Sequence, residues 1–261
     1  MARPLGQHFL VNDSILETIA RLAQDGSCSH VMEIGAGKGA LTHHLARFFG
    51  KVVSVEIDTT LQEDLAVAAG NLHNVEILWG DFLKTRETDI VSRLGDDYCV
   101  AGNVPYYITT DIVKQLLWDY EKPRHITLLM QKEAAERLCA EHHTKDYGPL
   151  PIEIALAWES EIPLEVPPEA FLPPPHVDSA VLVLSRKADA PCEEDLAHVR
   201  KLTRCAFTRR RKQLPGILGG AGVEKEEAAA ALQALGLSPK ARPEELTPQD
   251  WLAFSRKLRG Q

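Results

Sequence analysis

The run Val31-Met32-Glu33-Ile34-Gly35-Ala36-Gly37-Lys38-Gly39 narrows the choice of fold more than any other stretch. An apolar strand passes through a glycine loop into a pattern with Leu41, Leu45, Ala46 and Phe49 at helical spacing. Strand, glycine loop and helix form the first βα unit of a nucleotide-binding α/β fold. Glycine lets the backbone approach a ligand closely, and the start of the helix offers free N–H groups. The spacing G-x-G-x-G departs from the dinucleotide fingerprint G-x-G-x-x-G, and taken alone the loop is compatible with a simple turn. A second strand, Val52 to Asp58, strengthens the ligand reading. It brings Glu56 to its end about 20 residues on, where a carboxylate can accept from both hydroxyls of a ribose.

Further strands arrive in the same manner. Val75–Trp79 leads into Gly80-Asp81-Phe82, where Asp81 can accept from an adenine amine and Phe82 can pack beside the ring. Tyr98–Ala101 leads into Gly102-Asn103-Val104-Pro105-Tyr106-Tyr107. This N-x-P-Y tetrad suits one chemical problem. An amine conjugated to a π-system is a poor nucleophile because its lone pair is delocalised. Two fixed acceptors, the Asn103 side-chain oxygen and the Val104 carbonyl, can take both of its N–H bonds and favour a more pyramidal nitrogen. Pro105 fixes its own φ and biases Val104 toward an extended conformation. Tyr106 offers a flat face for a planar substrate. Polar groups at successive strand ends are how open α/β sheets bind ligands.

The remainder reads as an amphipathic helix from Asn12 or Asp13 to Ala23, a helix over 110–120, a strand over 125–130 and a helix over 132–140. Two further strand-like runs lie at 152–158 and 180–184. Between them, Pro167–Ser179 carries five prolines and reads as a stiff extended loop, with Phe171 as a surface anchor or an aromatic wall. Beyond a linker at 187–194, helical patterns recur at 195–207, 225–235 and 248–258, so the expected domains are 1–186 and 187–261.

At 261 residues, 44% hydrophobic and 25% charged, the chain has the composition of an ordinary globular protein. Its net charge is −8, divided into −12 for residues 1–186 and +4 for 187–261. An acidic body counts against simple nucleic-acid binding. The cluster Arg209-Arg210-Arg211-Lys212 reads as a solvated helix end unless a polyanion is bound there. Five dispersed cysteines (28, 99, 139, 192, 205) are expected to be reduced thiols in a cytoplasm. Met1–Pro4 opens no apolar targeting segment, and no run is long enough to span a bilayer. The pairs His43-His44 and His142-His143 are expected on the surface, with no metal site. Gly216–Gly222 is expected as an inter-helix turn.

Taken together, Gly6–Leu10, Glu33–Thr42, Glu56–Asp58, Gly80–Phe82, Asn103–Tyr106, Phe171–Ser179 and Phe207–Leu214 resemble the bacterial 16S rRNA adenine N6,N6-dimethyltransferases, the family linked to kasugamycin sensitivity. The resemblance runs almost end to end. It implies a Rossmann-like S-adenosylmethionine-dependent methyltransferase sheet with a small all-α C-terminal domain. It also implies double methylation of two adjacent adenosines in a hairpin loop near the 3′ end of 16S rRNA. By position it implies that His8 and Leu10 close over the cofactor, although His8 stands where some members have Asn. Gly35 and Gly37 then approach the methionine part, Glu56 binds the ribose and Asp81 the adenine. Asn103 serves cofactor and target amine, and Tyr106 and Phe171 sandwich the flipped base. Arg209–Lys212 then hold RNA. The partner is the small ribosomal subunit precursor, in the cytoplasm, with a monomer as the expected state.

There are departures from the family pattern. Prolines 149 and 151 stand where relatives commonly carry Arg and Ser, and the N-terminus lacks a basic extension. Other readings stay open. A 23S rRNA adenine methylase would share the catalytic half, and a methylase-fold assembly factor would act mainly by binding. A glutamine-side-chain methylase uses a similar tetrad with Pro where Val104 stands. An NAD-dependent dehydrogenase would explain the glycine loop and Glu56 but leave Asn103–Tyr106 without a role.

Overall fold

The computed structural model describes residues 8–24, 26, 28–121 and 123–260. Residues 1–7, which include the opening segment and Gly6 and Gln7 of the first motif, lie outside the described residues. In chain order the elements begin β1 (Phe9–Leu10), α1 (Asp13–Ala23), β2 (His30–Ile34), α2 (Ala40–Phe48), β3 (Lys51–Glu56), α3 (Gln62–Ala69) and β4 (Val75–Trp79). They continue with α4 (Glu87–Leu94), β5 (Tyr98–Asn103), α5 (Thr109–Trp118), β6 (His125–Gln131), α6 (Lys132–Leu138), α7 (Pro149–Ala157) and β7 (Trp158–Val166). Last come β8 (Phe171–Leu172), β9 (Ser179–Arg186), α8 (Glu193–Ala206), α9 (Lys225–Ala234) and α10 (Pro248–Leu258).

Seven strands form one sheet in the order β4-β3-β2-β5-β6-β9-β7. The pairs from β4 to β6 are parallel, and β9 runs antiparallel to β6. This is the α/β sheet expected. Alternate strand residues explain its two faces. Val31, Val52, Cys99 and Ala101 share a core with Leu16, Ile19, Leu41 and Leu45 of α1 and α2. The intervening Met32, Val53 and Val100 are equally buried. Asn12 caps α1, its side chain accepting the Ile15 N–H. The edge strand β7 carries exposed Glu159, Glu161, Pro163 and Glu165, which discourage pairing with another sheet.

The chain forms two compact units. One comprises residues up to Ala135 together with Glu161–Arg186, the other Glu136–Ser160 together with the chain from Lys187. Residues 136–160 thus belong with the C-terminal helices, not with the sheet unit as a boundary at 186 would have it. The run at 152–158, expected as a strand, is the body of helix α7. Gly148 precedes it and Pro149 opens it, a position where a missing N–H costs nothing. Its apolar run I-E-I-A-L-A is buried almost all round, and such a run has no period that separates strand from helix. The strand that follows begins only at Trp158.

Two smaller expectations also change. Cys28 and Cys99, both buried in the sheet core, are joined by a disulfide with Cα atoms 6.1 Å apart; Cys139, Cys192 and Cys205 are free. A separation of 71 residues carries no spacing signal in sequence. His44 is buried rather than on the surface, its Nε2 3.0 Å from Asp13 Oδ1. Among the described residues there is no helix long and apolar enough to cross a membrane and no cluster suited to a metal ion.

Candidate active site

β2 lies between β3 and β5 in the sheet, so the connections leaving β2 and β5 diverge and a crevice opens at their C-terminal ends. A cavity of about 350 Å³ occupies that place. Gly35, Glu56, Asp81 and Asn103 line it, each from the end of a different strand or the turn after it, and Tyr106 joins them from the turn beyond Asn103.

The glycine loop after β2 takes positive φ at Gly35 (79°), Gly37 (56°) and Gly39 (84°). Every second residue is left-handed, which accounts for the G-x-G-x-G spacing. A Cβ on Gly37 would stand 3.3 Å from the Phe9 ring, so Phe9 lies over the loop. Glu56 is 3% exposed and braces the same loop. Its Oε2 accepts the Gly37 N–H at 2.8 Å and its Oε1 the Asp58 N–H at 2.7 Å. Each oxygen keeps a further lone pair for a ligand hydroxyl.

Beneath the loop lies Glu33, fully buried, which sequence reading passed over as part of the motif. Thr42 of α2 and Ser54 of β3 both donate to its Oε2, at 2.6 and 2.5 Å. The carboxylate therefore clasps the flanks of the glycine loop to the strand that carries Glu56. Burial pushes the Glu33 carboxyl up to about 7, against the lowering effect of those two hydroxyls.

Asp81 follows β4 and caps the next turn, its Oδ1 accepting the Leu83 N–H at 3.0 Å. Gln115 of α5 pins that turn by donating to the Phe82 and Thr85 carbonyls at 3.0 and 2.9 Å. Ile57, 52% exposed, also lines the cavity. Its signal in sequence was an apolar residue left between two acids, Glu56 and Asp58, at a strand tip.

At the end of β5 the Asn103 amide nitrogen donates to the His8 carbonyl at 3.1 Å. That bond orients the amide and makes Oδ1 the acceptor it offers. Val104 is buried, its N–H held by the Leu129 carbonyl at 3.0 Å, and Pro105 sits at φ −60°, ψ 130°. Tyr106 is half-buried, with Oη 2.6 Å from Ser179 Oγ, and burial pushes its phenol up. The His8 ring stacks on Tyr106 with centroids 5.8 Å apart and planes inclined by 24°. His8 and Leu10 both line the cavity, as does Tyr107, which is 64% exposed and had no role in the sequence reading.

Phe171 and the basic cluster are less open than the sequence suggests. Phe171 is 3% exposed and packs in the sheet core with Leu10 and Val166. Strand alternation is the reason: β8 pairs with β1, Leu10 opposite Phe171, and turns Leu172 outward at 65% exposed. The basic cluster is also divided. Residues 207–209 form a single 3₁₀ turn that continues directly from the end of α8. Arg210 is committed to Glu244, at 2.5 Å, and to the Lys145 carbonyl, while Arg209, Arg211 and Lys212 are exposed.

A family model described as ribosomal RNA adenine dimethylase matches residues 2–259. A ribosomal RNA small subunit methyltransferase A from Ligilactobacillus salivarius is 37% identical, over 98% of this chain and 89% of that protein. One of the same description from Geobacillus kaustophilus is 38% identical over 98% and 90%. Among solved structures, a dimethyladenosine transferase from Plasmodium falciparum superposes with a TM-score of 0.80 at 25% identity, over 97% of this chain and 98% of the other. The 23S rRNA methyltransferase ErmE gives 0.72 at 27% identity, over 96% and 99%.

Proposed function

The chain belongs to the ribosomal RNA adenine dimethylase family, and on that premise we propose that it dimethylates the N6 amines of two adjacent adenosines near the 3′ end of 16S rRNA during small-subunit assembly. It is an S-adenosylmethionine-dependent rRNA adenine dimethyltransferase. The small subunit is favoured over the large because relatives named for it reach 37–38% identity, against 27% for the 23S enzyme. Assembly of the subunit places the work in the cytoplasm, with the protein acting as a monomer on an RNA hairpin loop.

The residues at the crevice fit S-adenosylmethionine. Lone pairs of Glu56 suit a ribose diol, Asp81 an adenine amine, and Ile57 and Phe82 its faces. The glycine loop suits the amino-acid end, with His8 and Leu10 of the N-terminal strand closing above it. When bound, S-adenosylmethionine supplies an electrophilic methyl group on a sulfonium. The chain's own task is to make an aromatic amine nucleophilic and to aim it. Asn103 Oδ1 and the Val104 carbonyl accept the two amine N–H bonds and so direct the lone pair outward. Tyr106, anchored by Ser179, gives the base a face to stack on. The base must leave the RNA stack to get there. No strong general base is needed, because the methylated nitrogen is acidic enough to lose its proton to solvent.

The observation that carries this reading is the Asn103 amide, oriented by the His8 carbonyl at the rim of the glycine-loop crevice. Labelled S-adenosylmethionine, incubated with unmethylated small subunits and in parallel with large-subunit RNA, tests it. Label is expected in dimethyladenosine of the small-subunit RNA. Asn103→Ala is expected to lower transfer by about 10²-fold while RNA binding survives. Label in the large-subunit RNA alone would move the protein to the 23S methylases, and binding without label would make it an assembly factor.

A further inference from the structure

Val11, Ile57 and Tyr107 line the cavity, and each is more than half exposed. Leu172, 65% exposed, stands beside them without lining it. In the ribbon of β1 and β8 it lies directly opposite Phe9, and opposite residues of an antiparallel pair share a face. Phe9 gives that face to the cavity, so Leu172 projects from it into water at the mouth. The stem beneath this side chain is fixed. Phe171 is buried, the Val11 N–H donates to the Ala170 carbonyl at 2.9 Å, and His8 Nδ1–H donates to the Pro173 carbonyl at 2.8 Å. Prolines 173, 174 and 175 stiffen the chain beyond, and the Lys132 N–H donates to the Asp178 carbonyl at 3.0 Å. Between Glu169 and Asp178 the loop carries no carboxylate, although residues 1–186 sum to −12. An apolar projection from an acidic body suits the faces of bases and not phosphates.

We propose that Leu172 is a wedge that enters the RNA stack at the place the target adenine leaves. A base that flips out gives up its stacking partners, and the gap behind it must be filled for the flipped state to persist. Apolar side chains inserted at a base step hold such a gap open. Insertion also takes the Leu172 side chain out of water, which offsets part of the lost stacking. The stiff ribbon matters here, because a mobile side chain would lose in ordering what it gains by insertion. Leu172 touches neither the reacting amine nor the methyl donor. It acts on the equilibrium between stacked and flipped base, from the opposite strand of the ribbon that carries His8 and Phe9.

The inference rests on adenine in rRNA being the substrate, and the experiment separates the two. Single-turnover methyl transfer to unmethylated small subunits is followed with S-adenosylmethionine saturating and the protein concentration varied. A side chain that only helps dock the RNA would change the half-saturating concentration and leave the limiting rate alone. The wedge has the other signature. Leu172→Ala is expected to lower the limiting rate about tenfold while half-saturation stays close to the parent's. Leu172→Met, of similar volume and polarity, restores the rate, and Leu172→Ser does not. Melting temperature and S-adenosylmethionine affinity, the latter measured by calorimetry without RNA, stay at the parent's values because the side chain is exposed. A parental limiting rate in Leu172→Ala would overturn the proposal alone, as would a change confined to half-saturation or a loss that Leu172→Met does not recover. A fall in cofactor affinity or melting temperature that accounts for the whole loss would do so too. A parent protein that leaves small subunits unlabelled overturns the functional reading, and the wedge with it.

Discussion

Glu56 carries two duties at once, since the oxygens available to a ribose also hold the N–H groups of Gly37 and Asp58. Glu56→Ala is expected to cost S-adenosylmethionine affinity roughly 2–3 kcal/mol, because hydrogen bonds to a charged acceptor are among the stronger ones. Calorimetric titration checks this, and an unchanged affinity would remove Glu56 from the site. Glu33 has a different signature. Its carboxyl is pushed up to about 7 by burial, whereas in an unfolded chain a Glu titrates near 4.3. Between those values the folded state keeps a proton that the unfolded chain has released. The stability Glu33 confers is thus present below the lower value and is lost as pH rises through about 7. Glu33→Gln removes that titration. Relative to the parent, the variant is expected to gain on the order of 2 kcal/mol between pH 5 and pH 8. Urea unfolding of both proteins at the two pH values reads the difference directly, and an equal gap at both would show that the carboxyl does not titrate there.

Helix α7 owes its place to a charge that its apolar sequence hides. Glu153, buried on α7, takes Arg200 of α8 in a two-pronged pair, Nη2–Oε1 at 2.5 Å and Nε–Oε2 at 3.0 Å. Arg200 also reaches Glu193 at 3.2 Å. Removing one partner leaves the other charge buried, and Arg200→Met is expected to destabilise the protein by about 3 kcal/mol. The double replacement Glu153→Leu with Arg200→Met is expected to recover most of that loss, because an apolar pair has no desolvation penalty. Chemical denaturation of the two variants distinguishes this buried pair from an ornamental one. If Arg200→Met alone unfolds at the parent's midpoint, α7 is held by its apolar contacts and not by the pair.

A net charge of −8 repels a polyanion, and screening confines that repulsion to about 8 Å at physiological salt. The structure revises where compensation comes from. The unit made of 136–160 and 187–261 carries 16 Lys/Arg against 15 Asp/Glu, so it is near neutral rather than the +4 of the C-terminal stretch alone. Attraction must then be local, and Arg209, Arg211 and Lys212 are the exposed members of the basic turn. Each phosphate contact of the single-stranded kind adds about 0.7 to the slope of log affinity against log salt. Replacing Arg211 and Lys212 by Ala is expected to weaken subunit binding and lower that slope by roughly 1–1.5. Arg210→Ala is expected to leave the slope alone and reduce stability, since its guanidinium is spent on Glu244. A parental slope in the Arg211/Lys212 variant would move the RNA grip to the sheet unit.

The order of strands, the glycine loop and the polar residues at strand tips were legible because each is local. Spacing of apolar residues marks helices and strands, and Gly, Glu, Asp and Asn at their ends announce a ligand edge. The N-x-P-Y tetrad was legible for the same reason, being one turn of contiguous chain. The fate of Phe171, the pairing of Cys28 with Cys99, the helical state of 152–158 and the capture of Arg210 by Glu244 were decided elsewhere. Each depends on which distant segment arrives alongside: β1 beside β8, the segment at Cys28 beside β5, α8 beside α7, residue 244 beside residue 210. Which way a strand residue turns, and whether a charge meets water or an opposite charge, is set by partners that no window along the chain contains.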